Sequence, residues 1–157
     1  GVARVLKAAR PDCKIILSEP HNAALIGSGL EQARSKDGSP KESHPAWQPH
    51  MIQGWTPDFI PQVLQESVDQ KYFDQVLPVN GEDGTRWARR LAAEEGILTG
   101  ISGGSTLATA IEVAEKAPEG SVFLVMLPDT GERYLSTPLF ESIPAEMSEE
   151  ERALADS

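Results

Sequence analysis

The sequence has very little of several residues on which whole classes of protein depend. Cys13 is the only cysteine among 157 residues, which excludes a disulfide or a cluster of thiolate metal ligands within one chain. We expect Cys13 to be a small buried side chain without a chemical role. No run approaches the roughly 20 apolar residues that span a bilayer, and the first residues lack a signal-peptide pattern. These absences favour a cytoplasmic protein that does not enter membranes.

Positive charge is also scarce. The chain has 14 Lys and Arg residues against 24 Asp and Glu residues, and its formal net charge is -10 at pH 7. Such a surface repels the phosphates of nucleic acids and of anionic membranes, and the basic residues are scattered rather than clustered. We therefore expect a small-molecule or protein partner, and neither nucleic-acid nor membrane binding.

Hydrophobic spacing predicts alternating helices and strands. Helical spacing marks the start of the chain and the region from Gly81 to a closing Gly96, while short apolar runs at 14–19, 75–79 and 121–127 predict strands. The last run is apolar on both faces, which is typical of a central parallel strand covered by helices. The order of elements indicates an α/β fold with a mostly parallel sheet flanked by helices.

Composition divides the chain into an α/β portion, residues 1–143, and an acidic tail, residues 144–157. Within the first portion, residues from about 32 to 53 are polar and contain several prolines, so we expect a long surface loop inserted there. Lys36 lies in this polar insertion, and we expect it to be solvated. The three consecutive glutamates of the tail, 149–151, predict a solvated helix face rather than a site.

The most distinctive stretch is GISGG at residues 100–104, which matches the G-x-S-x-G pattern of serine hydrolases. Those enzymes need a histidine base after the serine, but all three histidines of this chain precede Ser102: His21, His44 and His50. A metal site at His44 and His50 would need further ligands that the spacing does not supply. Ser102 is then either the N-cap of the next helix or a hydroxyl that binds a ligand. We favour the ligand, because glycines admit close approach and a helix N-terminus offers free N–H groups.

Several motifs of the chain together resemble a known enzyme family. In order along the sequence they are GVAR at 1–4, Glu19-Pro20, QGWTPDFIP at 53–61, EEGILTGISGG at 94–104 and PDTGERYLST at 128–137. This series resembles the C-terminal half of cysteine synthase, O-acetylserine sulfhydrylase, from residue 1 to about residue 140, apart from the polar insertion. The last motif is the most specific of them.

The resemblance implies a pyridoxal-phosphate enzyme with the tryptophan synthase β-subunit fold. It implies a β-replacement in which sulfide displaces the acetate of O-acetylserine to form L-cysteine, with the hydroxyl of Ser102 at the ring nitrogen of the cofactor. A neutral hydroxyl there leaves that nitrogen largely unprotonated. Gly54 and Trp55 are expected at the mouth of the substrate site. The family's Schiff-base lysine belongs to its N-terminal half, so no catalytic residue is expected in this chain.

Alternatives to cysteine synthesis remain open. GGST at 103–106 is similar to the serine turn of cystathionine β-synthase, a sister enzyme that acts on serine, and Trp55 and Pro57 replace small residues at the mouth of the site. Some cysteine synthases bind the C-terminal peptide of serine acetyltransferase, so a non-catalytic binding role is a further alternative. The resemblance also implies a homodimer.

Overall fold

The structure, a computed structural model, describes residues 1–144 and 146–157. Its strands are β1 (Ile16–Pro20) and β2 (Gln75–Val79). Its α-helices are α1 (Val2–Ala9), α2 (Gln62–Asp69), α3 (Gly81–Glu95), α4 (Ile101–Ala114) and α5 (Glu149–Ala155), and two short 3-10 helices cover Gly131–Tyr134 and Pro138–Phe140. The two strands pair in parallel with Ile16 opposite Gln75, and α4 packs against both of them. The predicted α/β fold with a parallel sheet is confirmed.

Helix α3 has the boundaries that its end residues predict. The side chain of Asn80 accepts a hydrogen bond of 3.1 Å from the backbone N–H of Glu82, which satisfies one free donor of the first turn. Gly96 ends the helix with φ +69°, a left-handed conformation that glycine adopts without the steric penalty of a side chain. Local signals therefore fix this helix at both ends.

Helices α3 and α4 approach each other at two glycines. A Cβ on Gly104 would lie 1.9 Å from the carbonyl oxygen of Gly84, and a Cβ on Gly84 would lie 2.1 Å from Oγ of Ser105. A Cβ on Gly103 would lie 2.1 Å from Oγ1 of Thr99. Protein atoms therefore fill the space that a side chain would take at Gly103 and Gly104, so these glycines serve the packing of α4, and the close approach of a ligand to their backbone stays a prediction.

The strand predicted at 121–127 is not formed. The segment has no helix or strand assignment, and Val122 and Leu124 are 96% and 95% exposed. A strand that is apolar on both faces needs a neighbouring strand and a covering layer on each side. The described residues supply neither at this position, because β1 and β2 pair only with each other.

Three smaller expectations have mixed outcomes. Cys13 is only partly buried, so the expectation of a buried side chain is wrong. The polar insertion contains no helix or strand but is well anchored, since Gln32 bonds to the backbone of both Glu42 and Ile60. The acidic tail forms the exposed helix α5, capped by Ser148.

No helix among the described residues has the length and apolar character needed to cross a membrane.

Candidate functional site

Two of the quoted sequence motifs lie side by side in the structure. Thr99 and Thr130 form an isolated antiparallel bridge, and the backbone N–H of Gly131 donates a 3.1 Å hydrogen bond to the carbonyl oxygen of Leu98. The hydroxyl of Thr99 donates a further 3.1 Å hydrogen bond to the carbonyl oxygen of Asp129. These bonds hold the segment before α4 against the segment that begins the PDTGERYLST motif.

Ser102 lies in the first turn of α4 and points toward the second motif. The N-cap residue is Gly100, without a side-chain cap, so the N-cap alternative for Ser102 is wrong. The Ser102 hydroxyl instead donates to Oδ1 of Asp129 at 3.5 Å, which exceeds the distance of about 2.7 Å that is usual for O–H···O bonds. Only 3% of Ser102 is exposed. Its hydroxyl is therefore shielded from water but weakly bonded within the protein.

Asp129 also accepts a hydrogen bond from the hydroxyl of Tyr134 through its other oxygen, Oδ2. This bond, followed by burial, raises the pKa of the Tyr134 hydroxyl, because both favour its neutral form. Gly100 lies directly beneath the pair, since a Cβ there would be 2.3 Å from Cε2 of Tyr134 and 2.8 Å from Oδ1 of Asp129. Ser102, Asp129 and Tyr134 thus form one hydrogen-bonded group, which we call the hydroxyl–carboxylate triad.

The segment 54–58 is a rigid turn. Gly54 has φ +84° and Thr56 has φ +40°, a region that threonine rarely adopts. The carbonyl oxygen of Thr56 accepts hydrogen bonds from Nε1 of Trp47 at 3.2 Å and from Nε2 of His50 at 3.0 Å. Both donors belong to the polar insertion, so the insertion holds Thr56 in this conformation through two hydrogen bonds.

The end of the same turn is bonded to the polar insertion as well. Asp58 accepts a bond from the Ser43 hydroxyl, and its carbonyl oxygen accepts a 2.6 Å bond from the backbone N–H of His44. Trp55 packs against the core cluster that contains Ile52 and Tyr134. The turn is therefore fixed both to the insertion and to the core that carries the triad. No hydrogen bond among the described residues joins Ser102 to Gly54 or Trp55.

A cavity of about 520 Å³ opens where the two parallel strands end. Its walls include Pro20 at the end of β1, Asn80 after β2, and His50. Ligands of open α/β sheets bind at this edge as a rule. Nδ1 of His50 is buried without a hydrogen-bond partner among the described residues. Ser102, Gly54 and Trp55 do not line this cavity.

The histidines and Lys36 occupy the places that the sequence predicts. His44 is buried, with Nε2 3.1 Å from the carbonyl oxygen of Leu30, and His50 bonds to Thr56, so both pack within the loop. Neither bonds to Ser102, as the rejection of a serine hydrolase requires. Among residues 1–144 and 146–157, no group of three or more His, Cys, Asp or Glu could hold a metal ion. Lys36 is exposed.

Comparisons with known proteins give one consistent result. The sequence profile of a family described as pyridoxal-phosphate dependent enzyme matches residues 1–129. An O-ureido-L-serine synthase of Streptomyces lavendulae is 46% identical over 143 residues, which are 91% of this chain and 38% of that protein. A probable cysteine synthase of Bacillus subtilis (strain 168) is 36% identical over 143 residues, again 91% of this chain and 40% of that protein.

Solved structures agree with the sequence comparisons. A crystal structure of O-ureido-L-serine synthase superposes with a TM-score of 0.77 at 42% identity, covering 100% of this chain and 42% of that one. A crystal structure of cysteine synthase from Entamoeba histolytica gives a TM-score of 0.71 at 28% identity, covering 99% and 41%. The chain therefore spans less than half the length of each of these relatives.

Proposed function

Because the chain belongs to the pyridoxal-phosphate-dependent enzyme family, we propose that the protein containing it catalyses β-replacement on an O-activated L-serine. In such a reaction a nucleophile forms a bond to the β-carbon, the C–O bond there breaks, and the oxygen leaves with its acyl group. The observation that carries the proposal is the pairing of the Ser102 turn with the PDTGERYLST segment around one shielded hydroxyl. The named activities of the relatives support the same reaction type.

The residues around Ser102 fit the ring of the cofactor. A pyridine nitrogen needs one hydrogen-bonding group in its plane, and the bond from the Ser102 hydroxyl to Asp129 is long enough to be given up for it. Because only a small fraction of Ser102 is exposed, its hydroxyl suits contact with one atom at the edge of the pyridine ring, such as the nitrogen, rather than with the face of the ring. We therefore assign Ser102 to the ring nitrogen. When bound, pyridoxal phosphate delocalises the electron pair left at the α-carbon of the amino acid.

The rigid turn 54–58 is proposed as the wall of the acceptor subsite, with Gly54 and Trp55 at its mouth. Its conformation is held by two donors to Thr56 and by the packing of Trp55, so its shape does not depend on a bound ligand. A preformed wall selects acceptors by size and by hydrogen bonding, since binding does not have to order it. The identity of the acceptor therefore depends on this turn.

Two acceptors are candidates. Sulfide would give L-cysteine from O-acetylserine, the reaction that the motif resemblance implies. An N-hydroxyurea oxygen would give O-ureido-L-serine, and the 46% identity with an O-ureido-L-serine synthase, against 36% with a probable cysteine synthase, favours this second acceptor. Trp55, where the cysteine synthase motif has a small residue, also favours N-hydroxyurea, because an indole offers this acceptor a contact surface that sulfide is too small to use.

The test is a product assay on the cofactor-loaded protein. O-acetyl-L-serine is supplied with sulfide or with N-hydroxyurea, L-serine is supplied with homocysteine, and the products are identified by mass spectrometry. We expect a replacement product from O-acetyl-L-serine with at least one acceptor, and a higher kcat/KM for N-hydroxyurea. Absence of every replacement product from a cofactor-loaded sample would contradict the proposal.

A variant of the turn tests the acceptor assignment. Trp55→Gly removes the bulky wall and is expected to raise the kcat/KM ratio of sulfide over N-hydroxyurea by about tenfold, the scale on which a pocket distinguishes small apolar groups. Trp87→Phe, in α3 beside Arg90, is the matched control and should leave the ratio unchanged. Equal ratios in the wild type and Trp55→Gly would show that the turn does not select the acceptor.

A further inference from the structure

We propose that Asp129 and Tyr134 act as positioning residues that set, through the Ser102 hydroxyl, the protonation state of the cofactor ring nitrogen. This inference rests on the proposed placement of Ser102 at that nitrogen. The sequence resemblance alone implies a neutral hydroxyl and an unprotonated ring. The structure adds a carboxylate directly behind that hydroxyl.

The proton of the Ser102 hydroxyl can point in either of two directions. A serine hydroxyl has one proton and two lone pairs. If the proton points to Oδ1 of Asp129, the oxygen offers a lone pair, and the ring nitrogen must carry a proton to bond to it. If the proton points to the ring nitrogen, that nitrogen must be unprotonated. The acceptor strength of Asp129 therefore decides between the two arrangements.

The surroundings of Asp129 determine how strongly its carboxylate attracts the Ser102 proton. The carboxylate is partly buried and accepts at both oxygens, from Ser102 at Oδ1 and from Tyr134 at Oδ2. A negative charge one hydroxyl away from a titrating nitrogen favours its protonated form. The positive end of α4, which begins at Ile101, has the opposite effect at the same place. Arg133, the nearest cation along the motif, is exposed and therefore screened by water.

Tyr134 acts on the same carboxylate. Its hydroxyl donates to Oδ2 and withdraws electron density from the carboxylate, which weakens Oδ1 as an acceptor for Ser102. Removing the phenolic hydroxyl should therefore strengthen the bond from Ser102 to Asp129. Asp129 and Tyr134 then act on the ring nitrogen in opposite directions, and a purely structural role for either residue does not predict opposite signs.

The experiment measures the NMR chemical shift of an isotopically labelled ring nitrogen in the cofactor-loaded protein as a function of pH. Asp129→Asn is expected to lower the pKa of the ring nitrogen by about one unit, a tenfold change in the protonated ratio. Tyr134→Phe is expected to raise that pKa. Tyr72→Phe, which removes the hydroxyl of a tyrosine outside the triad, is the matched control and should cause no shift.

A double variant separates this inference from the proposed function. In a Ser102→Ala background the effect of Asp129→Asn should be clearly smaller than in the wild type, because the connecting hydroxyl is absent and only the through-space effect of the charge is left. If Ser102→Ala moves the nitrogen shift but Asp129→Asn and Tyr134→Phe do not, the inference is wrong and the placement of Ser102 stands. If Ser102→Ala leaves the shift unchanged, or the protein binds no cofactor, the placement itself is wrong and the inference falls with it.

Discussion

The hydroxyl of Tyr134 donates a hydrogen bond to Oδ2 of Asp129, while Oδ1 of the same carboxylate lies 3.5 Å from Oγ of Ser102. One carboxylate thus joins a residue of the PDTGERYLST motif to the first turn of α4. Because the carboxylate stabilises the neutral phenol, it raises the pKa of Tyr134. This relationship has a consequence that can be measured without a cofactor.

Asp129→Asn is expected to lower the pKa of Tyr134, because an amide is a weaker acceptor than a carboxylate and carries no charge. The measurement is an ultraviolet absorbance titration of the phenol at high pH. Subtracting the titration of Tyr134→Phe removes the contribution of Tyr72. A Tyr134 titration curve that is the same with Asp129 and with asparagine would show that the bond does not exist in solution.

Gly104→Ala is expected to destabilise the protein by about 1–3 kcal/mol, the usual cost of overpacking a tight contact. The reason is that the new Cβ would lie 1.9 Å from the carbonyl oxygen of Gly84, so α3 and α4 would have to separate. Chemical denaturation measures the change in the free energy of unfolding. Gly1→Ala, where the added Cβ meets no atom within 4 Å, is the control. Equal effects of the two substitutions would contradict the close approach of the helices.

Trp47→Phe is expected to loosen the turn 54–58, because it removes one of the two donors that hold the Thr56 carbonyl. Without that donor the left-handed conformation of Thr56 is less well supported. Hydrogen–deuterium exchange of a peptide that contains the turn should become faster. Trp87→Phe preserves both donors and should leave the exchange unchanged, whereas equal acceleration in both variants would point to a global effect.

The bonds of Asp74 are expected to make the free energy of unfolding sensitive to acid. A 2.6 Å bond from Nζ of Lys7 and a 2.7 Å bond from the backbone N–H of Ile15 lower its pKa from 3.8 to about 2. Because the folded-state pKa is below the unfolded one, this stabilisation is complete above pH 3.8 and is lost as the pH falls toward 2. Asp74→Asn should flatten the stability profile in that window. If the free energy of unfolding falls equally below pH 3.8 in the wild type and in the variant, the lowered pKa of Asp74 is contradicted.

Much of the fold follows from local signals. The boundaries of β2 and α3 could be predicted because apolar spacing and the closing Gly96 lie within the elements or next to them. Strand 121–127 could not be predicted correctly from its composition. A strand depends on hydrogen-bonding neighbours, and those are not encoded in the segment itself.

The site was predictable only in part. Ser102 stands out through its glycine-rich surroundings, and Gly54 and Trp55 through their motif. The contact of Ser102 with Asp129 joins residues 27 positions apart, and no spacing rule signals it. The packing role of the glycines after Ser102 could not be predicted for the same reason, because the atoms next to them come from Thr99 and from α3. A PDTGERY motif paired with a G-x-S-x-G turn is a signal that could have suggested the triad.

The most direct test of the account is the position of the ring nitrogen in a crystal structure of the cofactor-loaded protein. This nitrogen is expected to lie within hydrogen-bonding distance of Oγ of Ser102, about 2.7–3.0 Å, with Asp129 on the far side of the hydroxyl. A ring nitrogen that bonds to another group, with Ser102 still buried against Asp129 and Tyr134, would contradict it.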